Sequence, residues 1–189
     1  MSDKNTRSVA RMMSLLRTGP RAIVLRFSDQ TLRLISGAPF IRLSRVTPQL
    51  YVGGQHYKRG WRRMQRQGIT AVVNMREARH RSANPPERYL HLPTQDNTPP
   101  TLGDLRQGAA FIAEEIARGG CVYIHCGVGV GRAPTMAAAY LITTGMSAQE
   151  AIAAIQKVRP FIHPTPSQRA QLERFAAELR QNGQTPNNS

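Results

Sequence analysis

The chain has 189 residues and a mass of 21.0 kDa, with 40% hydrophobic residues, which suits one domain with a sizeable core and some chain left over. Mean hydropathy is −0.40, and no run approaches the roughly 18 apolar residues of a membrane span, so integral-membrane, collagenous and disulfide-scaffold classes are not expected. Lys and Arg number 26 against 11 Asp and Glu, a net charge of +15. The excess is uneven: nine basic and two acidic residues over 1–46, eight and one over 47–81, but nine and eight over 82–189. A positive field confined to the first 81 residues points to an anionic partner, whether phosphate ester, anionic membrane or nucleic acid.

Arg11, Arg17 and Arg21 interrupt every apolar run near the start, so no secretory signal is expected there. Val9, Met12, Met13 and Leu16 share one face of a short helix with Arg7, Arg11 and Ser14 opposite, a basic amphipathic pattern of the kind that lies on anionic lipid. The plainer reading is a solvated tail, or a helix packed on its own domain. Residues 21–40 alternate weakly (Ile23, Leu25, Phe27, Leu32, Leu34) and take no firm assignment before Gly37 and Pro39. From Val46 the pattern sharpens. Leu50–Val52 reads as a short strand ended by Gly53 and Gly54, and residues 58–67 as a basic helix stopped by Gly68. The β-branched run Ile69–Met75 reads as a buried strand, and Arg88–Leu92 as a shorter one closed by Pro93. Thr101 caps a helix with Leu105, Ala109, Ile112 and Ile116 on one face. The apolar strand Cys121–His125 leads through a glycine-rich turn to a helix over Arg132–Thr143. Ser147 and Glu150 form a capping box for a helix that ends before Pro160. A last helix starts around Thr165, Pro166 and Gln168 and turns Leu172, Phe175 and Leu179 inward; the closing QNGQTPNNS reads as disordered. Strands alternating with helices predict an α/β fold: a central, mainly parallel sheet of four to five strands with helices on both faces.

Cys121 and Cys126 lie in one strand, about 16 Å apart at about 3.3 Å per residue. A disulfide needs Cα atoms within about 7 Å, so both stay free thiols, as in a reducing, cytoplasmic compartment. There is no CxxC, and His56, His80, His91, His125 and His163 show no metal-ligand spacing. No metal and no cofactor is expected.

The chemistry concentrates in His125-Cys126-Gly127-Val128-Gly129-Val130-Gly131-Arg132, at a strand-to-helix junction. A cysteine, five residues and an arginine at a helix start form a cradle for a phosphate dianion. Gly127, Gly129 and Gly131 let the loop amides from Gly127 to Gly131 turn inward, and the helix N-terminus adds partial positive charge. The Arg132 fork can hold two phosphate oxygens. The same dipoles favour a thiolate at Cys126, which would be an in-line nucleophile. A dinucleotide fingerprint would need glycine at position 132 and an early βα unit, and is rejected. A buried structural cysteine is the commoner fate of a lone Cys, but it leaves the coincidence with Arg132 and the glycines unaccounted for.

HCGVGVGR resembles the HCxxGxxR loop of cysteine-dependent dual-specificity-type phosphatases. RVTPQLYVGG, GITAVVNMREAR, HLPTQDNTPP and RPFIHPTPSQRAQLERF also occur in that family's order, over about residues 45–180. CVYIHC followed by TMAAAYLI most resembles the mitochondrial-type branch that dephosphorylates phosphatidylglycerophosphate. A leaving alkoxide needs a proton, and only four aspartates exist. Asp3 and Asp29 read as lying outside the core, and Asp104 sits in a first helical turn, where an acid suits the dipole. Asp96 lies on a loop where the resemblance puts the general acid; otherwise it is an Asx-turn residue ahead of Asn97 and Pro99. His125 reads as a supporting orienter of the loop. Arg76, Arg79 and Arg81 either line the mouth of the pocket or form a solvated basic loop. The residue after the loop arginine is usually Ser or Thr in the family, and its hydroxyl stabilises the departing thiolate; here it is Ala133, as in the Arg-Ala-Pro of the regenerating-liver and glucan phosphatases.

The expectation is a phosphomonoester hydrolase with Cys126, Arg132 and Asp96 as its catalytic residues. The substrate is a phosphoprotein or, alternatively, an anionic phospholipid such as phosphatidylglycerophosphate. A module that binds phosphate without turnover is the lesser alternative, raised by Ala133. With 6% aromatic residues and no reading motif, nucleic acid is not an expected partner. The expected organisation is a basic extension over 1–44 that packs on a membrane or on the domain, a phosphatase domain over 45–181 and a disordered tail over 182–189. A peripheral contact with the inner face of an anionic membrane accompanies it.

Overall fold

In a computed structural model of the chain, residues 19–78 and 87–184 are described. Four strands, β1 (Leu50–Gly53), β2 (Ala71–Asn74), β3 (Arg88–His91) and β4 (Val122–His125), form one parallel sheet in the order β1-β4-β2-β3. Each step is a crossover, so helices must cover the faces. The strands' alternation divides the core in two. Leu50, Val52, Ala71, Val73, Val122 and Ile124 point to one face, covered by α3 (Leu102–Ala117), α4 (Arg132–Thr143), α5 (Ala148–Val158) and α6 (Pro166–Gln184). Tyr51, Val72 and Tyr123 point to the other, where Met64 and Trp61 of α2 (Lys58–Arg66) pack on them. The expected parallel sheet with helices on both faces is the observed architecture.

Register decides where chemistry can occur. Gly53, His125 and Asn74 pair across β1, β4 and β2, and His91 follows Asn74 on β3, making one row at the carboxyl edge of the sheet. The loop that leaves β4 therefore rises from the middle of that edge, the usual ligand position in open parallel sheets. Helix starts follow local chemistry. Thr101 Oγ1 accepts the Asp104 N–H at 3.0 Å while the Asp104 carboxylate accepts the Thr101 N–H at 3.1 Å, and Ser147 and Glu150 repeat the arrangement on α5.

Residues 21–40, which take no assignment from sequence, fall largely in helix α1 (Pro20–Ser36), with Pro20 at its first position and Gly37 ending it at φ 75°. Its pattern is inverted. Ala22, Asp29 and Arg33 are the buried residues, whereas Ile23, Val24, Phe27, Leu34 and Ile35 are exposed. Asp29, read as lying outside the core, is in fact 1% exposed and paired with Arg159 Nη2 at 3.1 Å. A rule that places apolar residues inward cannot find such a helix. At the other end, α6 runs on to Gln184, so the backbone of 182–184 is helical where a disordered tail is expected. The Val9–Leu16 pattern lies outside the described residues. No helix among the described residues is long and apolar enough to cross a membrane.

The approach of α1 to α2 depends on two glycines. A Cβ on Gly60 would collide with the Gly37 carbonyl and come within 2.5 Å of Ala38 N. Gly60→Ala should therefore destabilise by about 1–3 kcal/mol despite alanine's better helix propensity. Gly103→Ala, where the nearest atom is Thr101 Oγ1 at 3.6 Å, should lose nothing; urea unfolding of the two variants checks the contrast.

Candidate active site

The segment 126–132 closes into a loop whose backbone is turned by the body of the domain. The Gly127 carbonyl accepts from Gln55 N–H at 3.0 Å and from Arg33 Nη1 at 3.1 Å. The Gly129 carbonyl accepts from Arg159 Nε at 3.4 Å, and that of Val130 from His163 N–H at 2.8 Å. The Gly131 carbonyl accepts from both the N–H and Oγ1 of Thr135, each at 3.0 Å. In a planar trans peptide the next N–H points opposite to its carbonyl. The N–H groups of Val128, Val130, Gly131 and Arg132 consequently face away from these anchors, into the loop, as an anion nest requires. Gly129 has φ 72°, and a Cβ there would run into the backbone of Gly53 and sit 2.7 Å from Gly54 N.

Cys126 is buried at the floor of this loop, and its Sγ accepts the Gly129 N–H at 3.3 Å. A backbone donor aimed at sulfur stabilises negative charge on it. Arg132, also buried, donates from Nη1 to the carbonyls of Thr94 at 2.7 Å and Met75 at 3.4 Å, and its Nη2 meets Asp96 Oδ1 at 3.0 Å. Cys126, the loop amides, Arg132 and Asp96 are thus brought together. The Asp96 side chain remains 52% exposed, so the carboxyl faces both the arginine and solvent. Asp104 is committed to the α3 cap instead.

Several contributors escape the sequence reading. The loop carrying Asp96 is gripped from α6 and the residue before it. Thr165 Oγ1 donates to Asn97 O at 3.5 Å, Gln168 Nε2 to Thr98 O at 2.9 Å and Gln171 Nε2 to Pro100 O at 2.8 Å. Asn74 Nδ2 donates to the Tyr89 hydroxyl at 2.8 Å and to Ala78 O at 3.1 Å, while its Oδ1 accepts the Arg76 N–H at 2.9 Å. It shapes the turn that presents the Met75 carbonyl to Arg132. The periodic spacing 165/168/171 is the only signal for the α6 grip. His125 is buried, its Nδ1 3.4 Å from the Cys126 carbonyl and its ring edge-on to His56, with centroids 5.2 Å apart. Beside it, burial raises the Tyr123 hydroxyl well above its ordinary pKa, so it stays protonated and donates to Gly54 O at 2.5 Å. Arg76 is half-buried; Arg79 and Arg81 lie outside the described residues. Cys121 and Cys126 are both free thiols, and burial pushes that of Cys121 up.

This geometry has known counterparts. The family model for the dual specificity phosphatase catalytic domain matches residues 50–178. The chain belongs to that family. Phosphatidylglycerophosphatase and protein-tyrosine phosphatase 1 of Mus musculus is 46% identical over 92 residues, which are 48% of this chain and 48% of the relative. Dual specificity protein phosphatase 22-B of Danio rerio is 32% identical over 145 residues, covering 74% of this chain and 77% of the relative. A crystal structure of PTPMT1 in complex with PI(5)P superposes with a TM-score of 0.69 at 33% identity, over 74% of this chain and 97% of that one. The chain spans about half the length of the first of these curated relatives. Asp29 and Arg33 lie before the part of the chain that the phosphatase family model matches.

Those two residues nevertheless bear on the phosphatase loop. Arg159 is fully buried between Asp29, the Leu43 carbonyl and the Gly129 carbonyl, with its guanidinium 4.6 Å from the Phe161 ring. Removing one partner of a buried ion pair strands the other charge, at a cost of about 3–5 kcal/mol. Asp29→Ala is expected to lose stability of that size in urea unfolding. It should also depress turnover, because the stranded Arg159 no longer holds the Gly129 carbonyl.

Proposed function

We propose that the chain is a phosphomonoester hydrolase that works through a phosphocysteine, on phosphorylated Tyr, Ser or Thr of protein substrates. The observation that carries this reading is the convergence on one nest of amides of a buried cysteine sulfur, a buried arginine and a half-exposed carboxyl 3.0 Å from that arginine. Arg132 and the loop amides hold the phosphate oxygens, and the Cys126 thiolate attacks phosphorus in line. The P–S bond forms as the P–O bond breaks, and Asp96 gives its proton to the departing oxygen. Asp96, now a carboxylate, takes a proton from water, whose oxygen attacks phosphorus. The P–S bond then breaks, releasing the thiolate and inorganic phosphate. His125 supports the loop from below, and no metal or cofactor enters.

A second reading, an anionic phospholipid as substrate, is supported by the likeness to a relative named a phosphatidylglycerophosphatase and by the positive charge of residues 1–81. Peripheral contact with the inner face of an anionic membrane belongs with it. Turnover of a phosphotyrosine peptide beside that of phosphatidylglycerophosphate in vesicles tests the pair. Peptide turnover carries the first reading and lipid turnover alone carries the second. Turnover of neither, with phosphate still bound, would leave a binding module.

Cys126→Ser should abolish turnover while retaining phosphate binding, in EDTA as without it, because an alcohol is not ionised where a thiolate is. Asp96→Asn should slow alkyl phosphates by about 10²–10⁴ and aryl phosphates with good leaving groups far less. An equal fall for both would place the acid elsewhere. Ala133 supplies no hydroxyl, and the nearby Thr135 hydroxyl is spent on the Gly131 carbonyl. Stopped-flow traces should therefore show a product burst followed by a slower phase, and Ala133→Ser should raise the slow phase.

A further inference from the structure

α1 presents two unlike faces. Inward go Ala22, Asp29 and Arg33; outward go Ile23, Val24, Phe27, Leu34 and Ile35, spaced i, i+1, i+4, i+11, i+12 on one stripe, with Phe27 and Ile35 73% and 72% exposed. A stripe of this size is unusual on a surface that meets only water. Its surroundings are basic. Arg59 of α2 donates to the Leu34 carbonyl, and Lys58, Arg59, Arg62, Arg63 and Arg66 are all exposed on that helix. Over residues 20–76 the only acid is Asp29, which is buried and paired. Apolar side chains flanked by arginines, with no exposed acid among them, complement an anionic bilayer.

We infer that the outer face of α1, together with the basic surface of α2, is the docking surface of this phosphatase for an anionic bilayer. This rests on the membrane-contact reading above and gives it an address. The opposite face of the same helix donates from Arg33 to the Gly127 and Gln55 carbonyls, at 3.1 and 2.8 Å. Docking through α1 therefore seats the phosphate loop about one helix diameter, roughly 10 Å, from the lipid surface. The helix that holds the loop in shape also delivers it to phosphate groups at a membrane.

The test uses the full chain and vesicles of phosphatidylglycerol with phosphatidylcholine, or of phosphatidylcholine alone. One variant combines Val24→Ser, Phe27→Ser and Ile35→Ser; a second combines Lys58→Gln, Arg62→Gln and Arg63→Gln. Neither touches the phosphate loop, so turnover of a soluble aryl phosphate should be unchanged in both. The first should lose at least tenfold in partitioning onto phosphatidylglycerol vesicles. The second should lose about fivefold per charge removed, with a weaker dependence on salt than the parent. Turnover of a vesicle-borne phosphomonoester should fall in parallel. Wild-type binding that both variants retain would overturn this surface and leave the membrane reading standing; no binding by the wild type would remove both. A drop in sedimentation mass of the serine variant without lipid would show the stripe covered by a second copy of the chain, which also overturns the proposal.

Discussion

A cradle of backbone amides can bind an anion only if its carbonyls are turned outward, and buried carbonyls turned outward must find donors. That constraint organises this domain. The donors to Gly127, Gly129, Val130 and Gly131 come from the segment after β1, from α1, from the segment between α5 and α6, and from α4 itself. Every layer of the fold contributes one, so the loop's shape is a property of the whole domain. Arg159 is the most committed of these donors, being buried and shared between a carboxylate and two carbonyls.

A second hub is Arg132. Its guanidinium spans the end of β2 at Met75, the segment after β3 at Thr94, and Asp96 beyond it. The loop with Asp96 is in turn fastened through Asn97, Thr98 and Pro100 by side chains in and just before α6. Asp96 and its loop are thereby fixed by two independent sets of bonds, one to Arg132 and one to the helical layer. Positioning of this kind matters for the role proposed for Asp96, because a proton donor displaced by an ångström is far less effective.

α1 inverts the ordinary logic of an amphipathic helix. Asp29 and Arg33 are inside because the loop backbone there needs donors and Arg159 needs a counter-charge; most of its large apolar side chains are left outside. Gly54 and Gly60 make the close approach of α1 possible, and Gly53 leaves room for Tyr123 beside them. A Cβ on Gly54 would lie 2.5 Å from Arg33 Cζ, and one on Gly53 would reach 3.0 Å from Tyr123 Cζ. Gly53 and Gly54 read as the end of a strand and Gly60 as part of a basic helix, yet what they supply is room for the Tyr123 and Arg33 side chains and for the backbone at Gly37.

Where local rules govern, the sequence alone was decisive. The boundaries of α4, the caps of α3 and α5 and the glycine–arginine spacing around Cys126 all depend on neighbours a few residues away. The candidate residues Cys126, Arg132 and Asp96 were legible in the sequence for the same reason, helped by a resemblance that spans residues 45–180. Only the tertiary structure decided which distant groups complete the site. Arg33 meets Gly127 across 94 residues and Arg159 meets Asp29 across 130, and both pairings put charge where hydrophobic periodicity expects apolar side chains. Such partners are chosen by which buried carbonyl or charge remains unsatisfied after the layers pack, and that quantity does not exist until the chain has folded.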